Sequence, residues 1–101
     1  MKIHLNLKAQ WFDMIEQEIK KEEYRALSSY WQKRLTNGKI KIKKQWVNAS
    51  DVTIIFSNGY AKKRRQIHVR CTNVHVGKGN PLWGALQDTD YYVISLGNII
   101  R

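Results

Sequence analysis

The sequence predicts an α+β fold: a mixed β-barrel of about five to six strands with two flanking helices. Three observations carry that reading. A short alternating stretch opens the chain, two stretches of helical character follow it, and beyond Asn37-Gly38 short apolar runs alternate with turn residues to the end. A helical bundle would keep a 3.6-residue apolar period throughout, and this chain abandons it after its first third.

Ile3, Leu5 and Leu7 alternate with His4 and Asn6, the period of a half-buried strand. From Lys8 to Ile19 the spacing changes. Phe12, Ile15 and Ile19 share one helical face with Trp11 adjoining, while Asp13, Glu16 and Glu18 take the other. The run from Lys20 to Arg25 has no clear apolar period and reads as an exposed strand or an irregular connection. A second helix is expected over 28–36, capped by serine and stopped by Asn37-Gly38. Lys39 to Lys43 alternates lysine with isoleucine. Val52, Ile54 and Phe56 face one way along the next strand, and Asn58-Gly59 opens a turn whose tip is Lys62-Lys63-Arg64-Arg65. Ile67, Val69 and Cys71 mark the returning strand, with Val74 and Val76 following a bulge. Gly77 to Gly84 is a loop, Tyr91 to Leu96 the last strand, and Ile99-Ile100 closes the domain.

Size and charge narrow the function. The 101 residues make one domain, 1–101, large enough to fold without a disulfide or a metal. No apolar run is long enough to span a membrane. The opening residues lack the apolar core of a secretory signal, and the single cysteine, Cys71, fits a reducing compartment, so the cytoplasm is expected. Lysine and arginine total 18 against 8 acids, a net charge of +10. From Tyr24 to Lys78 there are 13 basic residues and a single acid, Asp51, whereas five of the acids sit between Asp13 and Glu23. A basic field over half of a small domain attracts polyanions, and RNA or a nucleotide is the expected partner. The plainer alternative is a solvated surface that keeps the protein monomeric.

The string Lys20-x-x-Glu23-Tyr24-Arg25 is the most specific local motif. Mixed charges at such density are commonly a solvated ion-pair face. In an extended segment Lys21, Glu23 and Arg25 share one face; in a helix Lys20 meets Glu23 one turn on. Either way Glu23 is bracketed by cations, so it stays ionised and held, able to accept a hydrogen bond from a nucleobase amino group.

This string resembles the motif of the ASCH (activating signal cointegrator homology) family, Gly-x-Lys-x-x-Glu-x-Arg after the first helix. Lys20, Glu23 and Arg25 match its charged residues, and Glu18 stands where the family has glycine. The resemblance extends through Tyr30-Trp31, Arg34-Leu35, Phe56-x-Asn58-Gly59-Tyr60, Pro81-x-Trp83-Gly84 and Ile94-x-Leu96-Gly97, features similar to those of small phage and bacterial members. It implies a PUA-like barrel with a cleft between barrel and helices, lined by Lys20, Glu23 and Arg25, and a role in binding RNA. Some small bacterial members are amidohydrolases that deacetylate N4-acetylcytidine with that lysine, a threonine three residues on and a distant glutamate. Here Glu23 occupies the threonine position and no acid occurs between Val52 and Gln87, so that catalytic set is incomplete. As an enzyme the chain would use Lys20 as base or activator and Glu23 as its acidic partner.

Around that cleft, Lys62, Lys63, Arg64 and Arg65 are expected to grip phosphates, because four adjacent cations in a turn repel until an anion relieves them. Tyr60 and Trp83, beside glycines in loops, could stack on a base, whereas Trp11, Trp31 and Trp46 read as packing residues. Lys39, Lys41, Lys43 and Lys44 read equally well as protection of a sheet edge. His4, His68 and His75 lack metal-ligand spacing, Gly77-Lys78-Gly79 matches no phosphate-loop fingerprint, and Cys71 reads as a buried thiol; neither metal nor cofactor is expected. A third reading is a basic adaptor for an acidic protein.

Overall fold

A computed structural model describes residues 1–59 and 64–101. Among these residues eight strands form two sheets. The main sheet is a curled half-barrel in the order β1-β6-β7-β8-β2, and the second sheet runs β3-β4-β5. Two helices flank them, so the molecule is the α+β mixed barrel that the alternating pattern calls for.

The main sheet follows directly from the apolar runs. Strand β1 (Lys2–Asn6) pairs parallel with β6 (Thr53–Asn58), which pairs antiparallel with β7 (Arg65–Lys78). Val52, Ile54 and Phe56 point into the core and are almost wholly buried. Strand β7 runs on through two register shifts, Val69/Cys71 and Cys71/Asn73, against β8 (Asp90–Ile100). The bulge lets one strand bend round the barrel while Val69, Cys71 and Val74 all reach the core. Beyond it Val76 is exposed rather than inward-facing. Strand β8 is unbroken, so Ile99-Ile100 belongs to the same strand as Tyr91 to Leu96. Strand β2 (Glu22–Ala26) completes the sheet antiparallel to β8, which settles the Lys20-to-Arg25 run as extended from Glu22 onward.

Both helices are shorter than their sequence spacing predicts. Helix α1 (Ala9–Glu16) buries Phe12 and Ile15, but Ile19 is 52% exposed and takes no part in the core. The reason is local. Glu18 N–H donates to the Ile15 carbonyl and Ile19 N–H to the Met14 carbonyl, each at 2.9 Å, and Glu18 has φ +61°. This is the Schellman closure, normally made by glycine, and here it is made by glutamate. Helix α2 (Ser29–Gln32) is a single turn whose first orphan N–H groups include that of Trp31, donated to the Ser28 hydroxyl at 3.4 Å. Leu35-Thr36, expected to be helical, form β3 instead, because Leu35 inserts into the core beside Ile40. Asn37-Gly38 is therefore the turn from β3 to β4 (Lys39–Ile42), with Gly38 at φ +73°. Strand β5 (Gln45–Asn48) is unforeseen by the sequence pattern, and Trp46, read as a packing residue, is 41% exposed on it. Trp11 and Trp31 do pack against the core.

Candidate functional site: a sealed lysine and an open arginine

The Lys20-Glu23-Arg25 motif lies where α1 hands over to β2. The Schellman closure turns the chain sharply, so that Lys20 points inward rather than continuing the charged helix face. Lys20 is 2% exposed, an unusual state for a lysine, and its ammonium has two polar partners. It donates to the Trp83 carbonyl at 2.7 Å and lies 3.3 Å from Glu23 Oε1. The rings of Tyr24 and Trp11 stand 4.7 and 5.4 Å from Nζ, close enough for cation–π attraction. Burial holds the Lys20 pKa below its ordinary value; Glu23 opposes that shift, and Arg25 adds to it.

Glu23 links the two cations. Its second oxygen, Oε2, is 2.7 Å from Arg25 Nη2, which also donates to the Asn6 carbonyl at 3.2 Å. The Arg25 guanidinium lies 5.2 Å from the Trp31 ring. Lys20 and Arg25 thus form the closed and open ends of one ion network. The closed end is capped by the 79–85 loop. Its Asn80 N–H donates to the Tyr24 hydroxyl at 2.8 Å, and that hydroxyl donates to Glu22 Oε1 at 2.7 Å. Burial and the bond to Glu22 push the Tyr24 pKa upward. Gly79 is required by this contact, since a Cβ there would sit 2.7 Å from the Tyr24 ring and 2.6 Å from the Ala85 Cβ.

Two depressions adjoin the partners of Arg25, one through Trp31 and the other through Asn6. One, about 250 Å³, is bordered by His4, Tyr30, Trp31, Arg34 and Lys41. The other, about 360 Å³, includes His4, Asn6, Ser57 and Arg64. Among the described residues, no carboxylate borders either one. Arg34 covers the Tyr30 ring at 3.7 Å and donates to the Tyr30 carbonyl at 2.7 Å, which gives this wall alternating cations and aromatic rings. Among the described residues, two buried side-chain atoms have no hydrogen-bond partner, Arg25 Nε and Asn6 Oδ1, and they belong to neighbouring side chains at this end.

Lys20, Glu23 and Arg25 are therefore brought together as the motif implies, although Lys20 faces the protein and not a cleft. Trp83 joins them through its backbone carbonyl rather than as a free stacking surface. Arg64 borders the larger depression, while Arg65 pairs with Asp13 at 2.8 Å over the Phe12 ring and serves the fold. Tyr60, Lys62 and Lys63 lie outside the described residues. Sequence reasoning missed Asn6, Tyr24 and the Trp31-Tyr30-Arg34 wall as parts of one site. Tyr24, Tyr30, Trp31 and Arg34 lie in the strings that carry the family resemblance, whereas Asn6 has no sequence signal. No protein-family model matches this chain, no curated protein matches it, and no solved structure does.

Proposed function

We propose that the protein binds RNA or a nucleotide at the Arg25 end of the Lys20-Glu23-Arg25 network, as its resemblance to ASCH domains implies. The observation that carries this reading is the pair of unmatched atoms, Arg25 Nε and Asn6 Oδ1. A buried donor and a buried acceptor left without partners each cost about 1–3 kcal/mol. Both atoms are closed to solvent, so a nucleobase edge, which offers an acceptor beside a donor, would satisfy them only once the side chains over them part. The surrounding chemistry agrees: Trp31 and Tyr30 offer ring faces, Arg34, Lys41 and Arg64 offer cations, and among the described residues no acid borders either depression. Lys20 and Glu23 then act from behind, fixing the Arg25 guanidinium rather than touching the ligand.

The amidohydrolase reading has one observation in its favour, the lowered pKa of Lys20. Against it, the Lys20 protons already serve the Trp83 carbonyl and Glu23, and the residue is almost wholly buried. The test is titration of fluorescently labelled RNA oligonucleotides and of free nucleotides at low and physiological salt. Arg25→Gln should weaken binding about 10-fold or more, the scale of a charge-assisted contact, with an unchanged circular dichroism spectrum. Equal affinity of wild type and variant would remove the site. Robust conversion of N4-acetylcytidine to cytidine, abolished by Lys20→Ala, would instead establish the enzyme.

A further inference from the structure

The second sheet carries a further feature, of which the Arg25 site shares Lys41 alone. Strands β4 and β5 form a hairpin whose tip is Lys43-Lys44, and both residues have positive φ, +49° and +67°. Two consecutive left-handed residues are the geometry of a type I′ turn, where Asn-Gly is the favoured pair. Lysine carries a Cβ and strains there. The hairpin thus holds two cations at its tip where an uncharged pair would fold more readily.

The outer face of the hairpin continues the theme. Lys39 and Lys41 point outward from β4, opposite Asn48 and Trp46 of β5. Lys39 donates to Asn48 Oδ1 at 3.0 Å, and the Lys41 ammonium stands 5.5 Å from the Trp46 ring. Protection of a sheet edge does not explain these lysines, because β4 is the central strand of its sheet and β5 is the edge. Nor does core packing explain Trp46, which remains 41% exposed.

We infer that the β4–β5 hairpin is a second binding surface, for single-stranded nucleic acid, with Trp46 stacking on an unpaired base and Lys39, Lys41, Lys43 and Lys44 taking the adjoining phosphates. The charge selects a polyanion. The exposed indole on an open sheet face selects one whose bases are free to stack, which a duplex does not offer. The inference goes beyond the Arg25 site and does not depend on it.

The experiment is a fluorescence anisotropy titration of the full chain with a labelled single-stranded RNA 12-mer, and with the same sequence as a duplex, across a salt series. Lys43→Asn with Lys44→Gly should raise the melting temperature, by about 4–8 °C if roughly 1 kcal/mol of strain is released. The same double variant should flatten the dependence of log affinity on log salt by about 1.4, from 0.7 for each of two lost phosphate contacts. Trp46→Ala should weaken single-strand binding about 5-fold to 150-fold, and duplex binding far less. A control that removes three cations elsewhere, Lys8, Lys21 and Arg101, each to Ser, measures general attraction. Wild-type salt slope and affinity in both hairpin variants would overturn the inference, as would a Trp46→Ala loss no larger for the single strand than for the duplex. Arg25→Gln is read in parallel. Loss with Arg25→Gln alone sinks the hairpin and leaves the first site; loss with the hairpin variants alone does the reverse.

Discussion

Replacing Glu18 by glycine should stabilise this protein, although glycine ordinarily weakens a helix. Glu18 occupies the position just past the α1 cap, at φ +61°, in a Schellman closure. A left-handed conformation costs an L-residue about 1–2 kcal/mol, chiefly from the Cβ against the backbone. Glycine avoids that cost but surrenders about 0.5–1 kcal/mol through the greater freedom of its unfolded chain. The net gain is about 0.5–1 kcal/mol, or roughly 2–8 °C in melting temperature for a domain of this size. Little opposes it, since the Glu18 side chain is exposed and makes no hydrogen bond or ion pair with the described residues. Thermal melting followed by circular dichroism reads the effect. Glu18→Ala is the control, because it removes the carboxylate and keeps the Cβ. A fall in melting temperature with glycine, or an equal rise with alanine, would refute the backbone argument.

Two further substitutions probe the interior. Gly79→Ala should destabilise by about 1–3 kcal/mol, because the new methyl meets the Tyr24 ring at 2.7 Å and the Ala85 Cβ at 2.6 Å; a denaturant midpoint within error of wild type would mean that the loop does not pack on Tyr24. Cys71 is buried and its thiol is pushed up to about 11 from an ordinary 9.0. The unfolded chain releases that proton first, so its contribution to stability is complete below pH 9 and is lost as pH rises towards 11. Lys20, whose pKa is lowered, acts with the opposite sign and gains stability as pH rises towards 10.5. Cys71→Ala removes only the thiol part. The difference between wild type and variant in denaturant stability should therefore fall by up to about 1.4 kcal/mol per pH unit across that window, and a flat difference would refute it.

The barrel was legible wherever the apolar period was unambiguous. Val52-Ile54-Phe56 and Ile67-Val69-Cys71 declare a buried hairpin, and the core contains their inward residues almost completely. Helix ends were illegible because their stop signals are not the usual ones: a glutamate takes the glycine position after α1, and Leu35 is drawn into β3 by the core. Strand β5 was hidden for a related reason, since its four residues follow a Lys-Lys turn that sequence does not mark as one. The charged motif could be seen, but not the direction its lysine faces. That depends on a carbonyl 63 residues away, and no local pattern encodes it.

The cap over Lys20 has a kinetic consequence. A partner that only skims the protein meets the hairpin lysines and the Arg25 rim with no loop to lift, and its capture rate keeps climbing with concentration. A partner that claims the ammonium itself must wait for the 79–85 loop to lift the Trp83 carbonyl from Nζ, and Gly79, wedged on Tyr24, resists that movement. Its capture rate therefore reaches a ceiling set by the protein rather than by the ligand supply. Two ligands of equal affinity would thus be sorted by speed, the surface binder first and the one that needs Lys20 only as fast as the loop allows.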